Sequence, residues 1–69
     1  MKRYYVQVVR PGTHEHWQQV NHWTNKAAAI SDAVHTYGNP DNLASRDVMA
    51  VRVVQGKRHP VVVFERVTS

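Results

Sequence analysis

The chain has 69 residues, with nine lysines and arginines against five aspartates and glutamates, for a formal net charge of +4. This length allows one domain with a small core, and the absence of cysteine excludes disulfides and thiolate zinc sites. No apolar run approaches the ~18 residues of a membrane span, and no long apolar region follows Lys2 and Arg3, so we expect no membrane contact and no signal peptide. The excess of positive charge favours acidic partners.

The first two segments predict a pair of antiparallel strands. Residues 3–10 (RYYVQVVR) are rich in β-branched and aromatic side chains, and residues 16–24 (HWQQVNHWT) are typical of a polar edge strand. Strict alternation along the second strand places Trp17 and Trp23 on one face. We expect both rings to pack in the core, and stacking of the aromatic rings on unpaired bases is the alternative.

One amphipathic helix follows the strand pair. Thr24 or Asn25 can cap it, because a short side-chain oxygen accepts hydrogen bonds from the amides of the first turn. Its predicted apolar stripe consists of Ala27, Ile30, Ala33, Val34 and Tyr37. Its predicted polar side consists of Ser31, Asp32, His35 and Thr36. Gly38 ends the helix, and Asn39 can cap a further short turn.

Two more strands complete the predicted sheet. They span residues 47–55 and 61–68, and the loop at 56–60 joins them as a hairpin. Alternation separates Met49, Val51 and Val53 from Val48, Ala50, Arg52 and Val54. The order β-β-α-β-β predicts an α+β fold, a single domain over residues 1–69. It has a four-stranded antiparallel sheet in the order 2-1-3-4 with one helix packed on one face. The other face is left open for a partner.

Arg52 is the most informative polar residue, because it lies in the middle of an otherwise apolar strand (VMAVRVV). Alternation places it on the open face beside Arg10 or Arg66, and such a row of guanidinium groups would bind carboxylates or phosphates. The alternative is a cross-strand ion pair with Glu65. The last hairpin tip adds a second basic spot. The predicted partner-binding residues are Tyr5, Arg10, Arg52, Lys57, Arg58 and Arg66.

Two side-chain clusters invite a chemical interpretation, and neither is complete. His14 and His16 lie about 6–7 Å apart on one predicted strand face, but a metal site needs three or four convergent ligands. Ser31, Asp32 and His35 lie on the exposed side of the helix, where a catalytic triad would lack an oxyanion hole and a dry pocket. The sequence therefore predicts a protein without catalytic activity, metal or cofactor.

The order of the segments resembles a class of small phage-encoded takeover proteins. The resemblance rests on the strand pair RYYVQVVRPG and HWQQVNHWT, on an alanine-rich helix and on the strand VMAVRVV before Gly56. The helix pattern consists of Thr24, Ala27, Ala28, Ala29 and Ala33. This layout is similar to that of several anti-CRISPR proteins and of the early protein with which some lytic podophages inhibit host RNA polymerase. In that polymerase inhibitor the strand after the helix carries arginines that contact the host enzyme, and the matching position here is Arg52.

The resemblance implies a non-catalytic phage protein that binds a host protein or ribonucleoprotein complex in the bacterial cytoplasm. The first expected target is a CRISPR surveillance complex, blocked sterically and electrostatically. Many proteins of this kind are acidic mimics of nucleic acid. This chain is basic, so the expected contact is an acidic protein surface or nucleic acid itself. The alternatives are a small basic module that binds DNA or RNA, an inhibitor of host RNA polymerase, and a homodimer rather than a monomer, paired through an edge strand.

Overall fold

The computed structural model describes residues 2–12 and 16–67, which form four strands and one helix. The strands are β1 (Tyr4–Val9), β2 (Gln18–Trp23), β3 (Ala50–Gln55) and β4 (Val61–Val67). The helix α1 spans Lys26–Asp32 and continues as a π-helical turn over Ala33–Tyr37. A 3₁₀ turn over Leu43–Ser45 precedes β3. His14 of the predicted histidine pair and the last residue of the predicted fourth strand lie outside the described residues.

The four strands form one antiparallel sheet in the order β2-β1-β3-β4. The helix contacts β1 and β2, and its π-helical end contacts β3, so it covers one face of the sheet. The predicted α+β fold, with strand order 2-1-3-4 and one covered face, is therefore confirmed. No helix among the described residues is long and apolar enough to cross a membrane.

The core lies between the helix and the two inner strands. Val6 and Val8 of β1 and Val51 and Val53 of β3 are fully buried there. The helix contributes fully buried alanines to the same cluster, and its larger side chains Ile30 and Tyr37 pack against the edge of it while partly exposed. Small side chains let the helix axis lie close to the sheet, so valine methyl groups fill the space between the layers. Hydrophobic burial on this side is the main source of stability in so small a chain.

The ends of the helix agree with the prediction, and so does most of the face that it buries, since Ala33 lies in the core cluster and Ile30 and Tyr37 pack against it. Asn25 caps the helix, accepting a hydrogen bond from the Ala28 amide at 3.1 Å. At Gly38 a Cβ atom would lie 3.0 Å from a backbone carbonyl oxygen, so the chain turns there without a side chain. Ala29 is fully buried and Ala27 is exposed. Placing Ala27 in the apolar stripe was therefore wrong, because neighbouring alanines carry no information about which one faces the sheet.

The loop between helix and β3 also differs from the prediction. Asn42, not Asn39, caps the short helical turn, accepting from the Ala44 amide at 2.9 Å. Val48 lies in the core cluster rather than on the face of Arg52. The reason is that β3 begins only at Ala50, so strand alternation does not extend back to residue 48.

Both outer strands contain a β-bulge, and the two bulges flank the same pair of inner residues. The register of β2 shifts beside Val6, and that of β4 shifts beside Val53, the residue that pairs with Val6. The extra residues are Val20 and Val63, and both pack against the core. An extra residue inverts the alternation beyond it. In each outer strand, the side chains before and after the bulge therefore alternate between the two faces of the sheet in opposite order.

Candidate functional site

The sheet face opposite the helix has no helix on it, and we call it the uncovered face. The strand register assigns to it the side chains of Tyr5, Gln7, Gln19, His22, Arg52, Val54, Val62, Glu65 and Val67. Trp17, which precedes β2, joins them through its contact with Arg52. This face mixes aromatic, amide and charged side chains with valines, whereas the core on the covered side is formed mainly by valines and alanines together with Tyr4.

Arg52 lies at the centre of this face and is held from two directions. Its Nε donates to Oε1 of Gln7, the residue opposite it on β1, at 2.7 Å. Its guanidinium carbon lies 4.2 Å from the centroid of the Trp17 ring, in a cation–π stack. A guanidinium has five N–H donors in a fixed plane, so one is used by Gln7 and the terminal nitrogens are left for an external acceptor. The stack fixes their direction before any partner arrives.

The predicted ion pair between Arg52 and Glu65 is wrong. The two residues lie opposite each other across β3 and β4. The guanidinium nevertheless turns away from β4, towards the inner strand, and donates to Gln7. A half-buried cation gains more from a short hydrogen bond and an aromatic face than from an exposed pair on an outer strand.

The predicted row of guanidinium groups is also wrong. Arg66 pairs with Val51, one position along β3 from Arg52, so it lies on the opposite side of the sheet. Arg10 lies beyond the end of β1 and donates to the carbonyl oxygen of Ala44 at 2.8 Å, so it braces the loop before β3. Of the three arginines predicted to lie together, the uncovered face holds only Arg52.

The remaining predicted residues divide between the face and the hairpin tip. Tyr5 is half-buried on the uncovered face, and its ring centroid lies 6.4 Å from that of His22 on β2, with the rings tilted by 42°. Lys57 and Arg58 are exposed in the loop after β3. They therefore form a separate basic spot, as predicted, outside the cluster around Arg52.

The two tryptophans lie on opposite faces, contrary to the prediction. Trp17 stacks under Arg52, whereas Nε1 of Trp23 donates to Oδ2 of Asp32 on the helix at 3.1 Å. The same carboxylate oxygen accepts from Nδ2 of Asn21 at 3.0 Å. The bulge in β2 separates the two rings, because it adds one residue between them. Asp32 therefore links the helix to β2 by hydrogen bonds, although it was predicted to lie on the polar, solvent-facing side of the helix.

Two residues of the uncovered face were missed by sequence reasoning. Gln7 follows Tyr5 by two positions in β1, so alternation alone could have placed it beside Arg52. Trp17 could not be placed, since no sequence signal revealed the bulge. Among residues 2–12 and 16–67, no three histidine, aspartate or glutamate side chains group closely enough to hold a metal ion.

Comparison of the chain with protein families, with curated proteins and with solved structures finds no match.

Proposed function

We propose that this protein is a non-catalytic inhibitor that uses its uncovered face to bind an acidic protein surface on a host nucleic-acid machine. The observation that carries this proposal is the fixed guanidinium of Arg52, stacked on Trp17 and hydrogen-bonded to Gln7 in the middle of that face. A preorganised guanidinium loses little side-chain entropy when it binds a carboxylate in two-pronged geometry.

The composition of the face supports a protein partner. Tryptophan, tyrosine and arginine are the residue types that dominate binding energy in protein interfaces, and Trp17, Tyr5 and Arg52 lie together here. Val62 and Val67 add apolar area on the same face, with 47% and 70% of their surface exposed. Such a mixture of aromatic anchors, one cation and exposed aliphatic groups is typical of an interface centre.

The dimensions of the molecule fit a standard interface. The molecule measures 32 × 25 × 15 Å along its principal axes. Its accessible surface is 4783 Å², and one partner in a stable complex usually contributes about 800 Å², roughly a sixth of that surface. One sheet face is therefore large enough to block a functional surface without a second contact.

The charge distribution on the face favours protein over nucleic acid. Proteins that bind single strands line a groove with several cations that follow the phosphate backbone. Here Glu65 shares the face with Arg52, and Arg10 and Arg66 lie elsewhere. The net charge of +4 still promotes encounter with an acidic partner over long range.

The resemblance to anti-CRISPR proteins and to the podophage polymerase inhibitor suggests two targets. The first is a CRISPR surveillance complex, and the second is bacterial RNA polymerase. Both are large nucleic-acid machines in the cytoplasm of the host, and binding that covers a working surface inhibits either one without chemistry.

The test measures binding and inhibition with purified components. The protein is titrated into a purified CRISPR surveillance complex, into bacterial RNA polymerase and into naked single-stranded DNA and RNA. We expect nanomolar to micromolar binding to one of the machines with loss of its activity. We expect Arg52→Glu to weaken this binding at least ~100-fold, because it replaces the central cation by an anion facing acidic groups.

Arg58→Glu is the matched control, since it makes the same charge change at the exposed hairpin tip. Equal losses from the two variants would show a general charge effect and contradict an Arg52-centred site. Tight binding to naked DNA or RNA that weakens steeply with salt, with no binding to either machine, would replace the proposal with a nucleic-acid-binding module.

A further inference from the structure

A cavity lies mainly on the side of the sheet opposite Arg52. It is a cavity of about 280 Å³ between the end of the helix, the loop before β3 and the end of β4. This is near the lower limit for small-molecule pockets. Pro40, Val48 and Val67 give it apolar walls, and Arg66 and Tyr37 also line it. Val67, at the end of β4, is the one residue that the cavity shares with the proposed binding face.

The polar side chains at this cavity are available to a ligand. Among the described residues, no hydrogen bond or ion pair engages the Arg66 guanidinium or the Tyr37 hydroxyl. Arg66 is exposed and lines the cavity. Burial and the nearby carboxylate of Asp32 raise the pKa of Tyr37, with the charge of Arg10 acting in the opposite direction. The phenol therefore keeps its proton and serves as a hydrogen-bond donor.

One wall of the cavity is unusually well fastened. Ser45, which lines it, has its hydroxyl within hydrogen-bonding distance of the carbonyl oxygens of Asn39 and, at 2.7 Å, of Asn42, which share its single proton. Arg10 holds the same loop through the Ala44 carbonyl oxygen. A wall fixed by so many hydrogen bonds is formed before a ligand binds, which removes most of the cost of ordering it.

We propose that this cavity binds a carboxylate carried on a small apolar group, with Arg66 and Tyr37 donating to the carboxylate and Pro40, Val48 and Val67 contacting the apolar part. The carboxylate reaches the cavity either on a free small acid or as the carboxyl terminus of a protein chain. The site is distinct from the cluster around Arg52, because Arg66 lies on the opposite side of the sheet from Arg52, and the cavity shares only Val67, at the end of β4, with the uncovered face.

The test is a titration of isotope-labelled protein followed by NMR. The probes are benzoate, benzamide as its uncharged counterpart, and N-acetylphenylalanine as a mimic of a chain terminus. We expect benzoate and N-acetylphenylalanine to shift the amide signals of Gly38, Ser45 and Val67 saturably. We expect benzamide to bind at least about tenfold more weakly, because a hydrogen bond to a charged group contributes that much.

Two variants and one control identify the donors. Arg66→Gln is expected to weaken benzoate binding about tenfold, and Tyr37→Phe to weaken it less, since it removes a neutral donor. Arg58→Gln removes one positive charge elsewhere and is expected to change nothing. Tighter binding of N-acetylphenylalanine would assign the site to a chain terminus, and tighter binding of benzoate to a free acid.

Three outcomes would overturn the proposal. One is the absence of saturable shifts with either carboxylate. Another is equal binding of benzoate and benzamide. The third is an equal loss in Arg66→Gln and Arg58→Gln, which would show attraction to net charge alone. Well-dispersed spectra of each variant confirm that it is folded, and the two donors are tested separately, so a folding defect in one leaves the other decisive.

Discussion

The two faces of the sheet differ in polarity. The covered face buries valines, two fully buried alanines of the helix, Ala29 and Ala33, and the Tyr4 ring, with Tyr37 and Phe64 packed against them. The uncovered face holds Trp17, Tyr5 and Arg52, which are larger and polar or amphipathic. In a chain with so little area to bury, the large aromatics would add most to a core, yet both tryptophans lie outside it. The comparison teaches that the fully buried centre of this fold is made of valines and alanines, while both tryptophans are left outside it.

The largest expected effect comes from enlarging the covered side. Ala33→Leu inserts a bulky side chain where the helix meets the sheet without free space, and we expect a loss of about 3 kcal/mol in the free energy of unfolding. Ala27→Leu is the matched control on the exposed side of the same helix, with an expected change within ~0.5 kcal/mol. Urea denaturation measures both. Equal losses would mean that the helix does not bury the face described here.

The second largest expected effect comes from removing the hydrogen bonds that Asp32 makes between the helix and β2. Asp32→Ala removes the acceptor for Asn21 and Trp23, and we expect a loss of about 2 kcal/mol, because hydrogen bonds to a charged group are stronger than neutral ones. Asp41→Ala, at an exposed position, is the control and is expected to change stability little. A loss no larger than that of the control would show that the carboxylate contributes nothing to docking the helix.

On the uncovered face the expected effect is smaller. A double-mutant cycle with Arg52→Ala and Trp17→Ala should give a coupling of about 1 kcal/mol between the guanidinium and the ring. Arg52 is half-buried and hydrogen-bonded, so we expect Arg52→Ala to lower the free energy of unfolding somewhat. Replacing a surface residue without such contacts would leave it unchanged. Thermal unfolding of the four proteins measures this coupling. A coupling of zero would make the stack incidental and weaken the case for a preorganised anchor.

The smallest effect is a dependence of stability on alkaline pH. Folding raises the pKa of Tyr37, mainly through burial and then through Asp32. The unfolded chain therefore releases this proton first, and the stability from protonated Tyr37 is full below the ordinary tyrosine pKa of about 10 and falls as pH rises through the folded value. Unfolding measured from pH 9 to 11 should show a steeper decline in the natural chain than in Tyr37→Phe. Parallel curves would contradict the shift.

How much the sequence could predict depended on the kind of signal. The topology could be predicted correctly from strand composition, from turn residues and from the caps at Asn25 and Gly38. Each of these signals is a local preference of the chain that favours one kind of structure. The destinations of Arg10 and Arg66 could not be predicted, since they depend on which strand pairs and loops come together in space. The bulges at Val20 and Val63 left no mark in a run of valines and polar residues. The bulge at Val20 places Trp17 on the face of Arg52.

The bulge in β4 also has a consequence for aggregation. The outer strand β4 contains the segment Val61-Val62-Val63-Phe64, and Val61 and Val62 are exposed. A regular strand of that composition would be a template for cross-β stacking into fibrils. The extra valine interrupts the even spacing of amide and carbonyl groups along the edge. Another chain therefore finds no long, uniform ladder to extend, and we expect this to lower the tendency of so valine-rich a strand to aggregate.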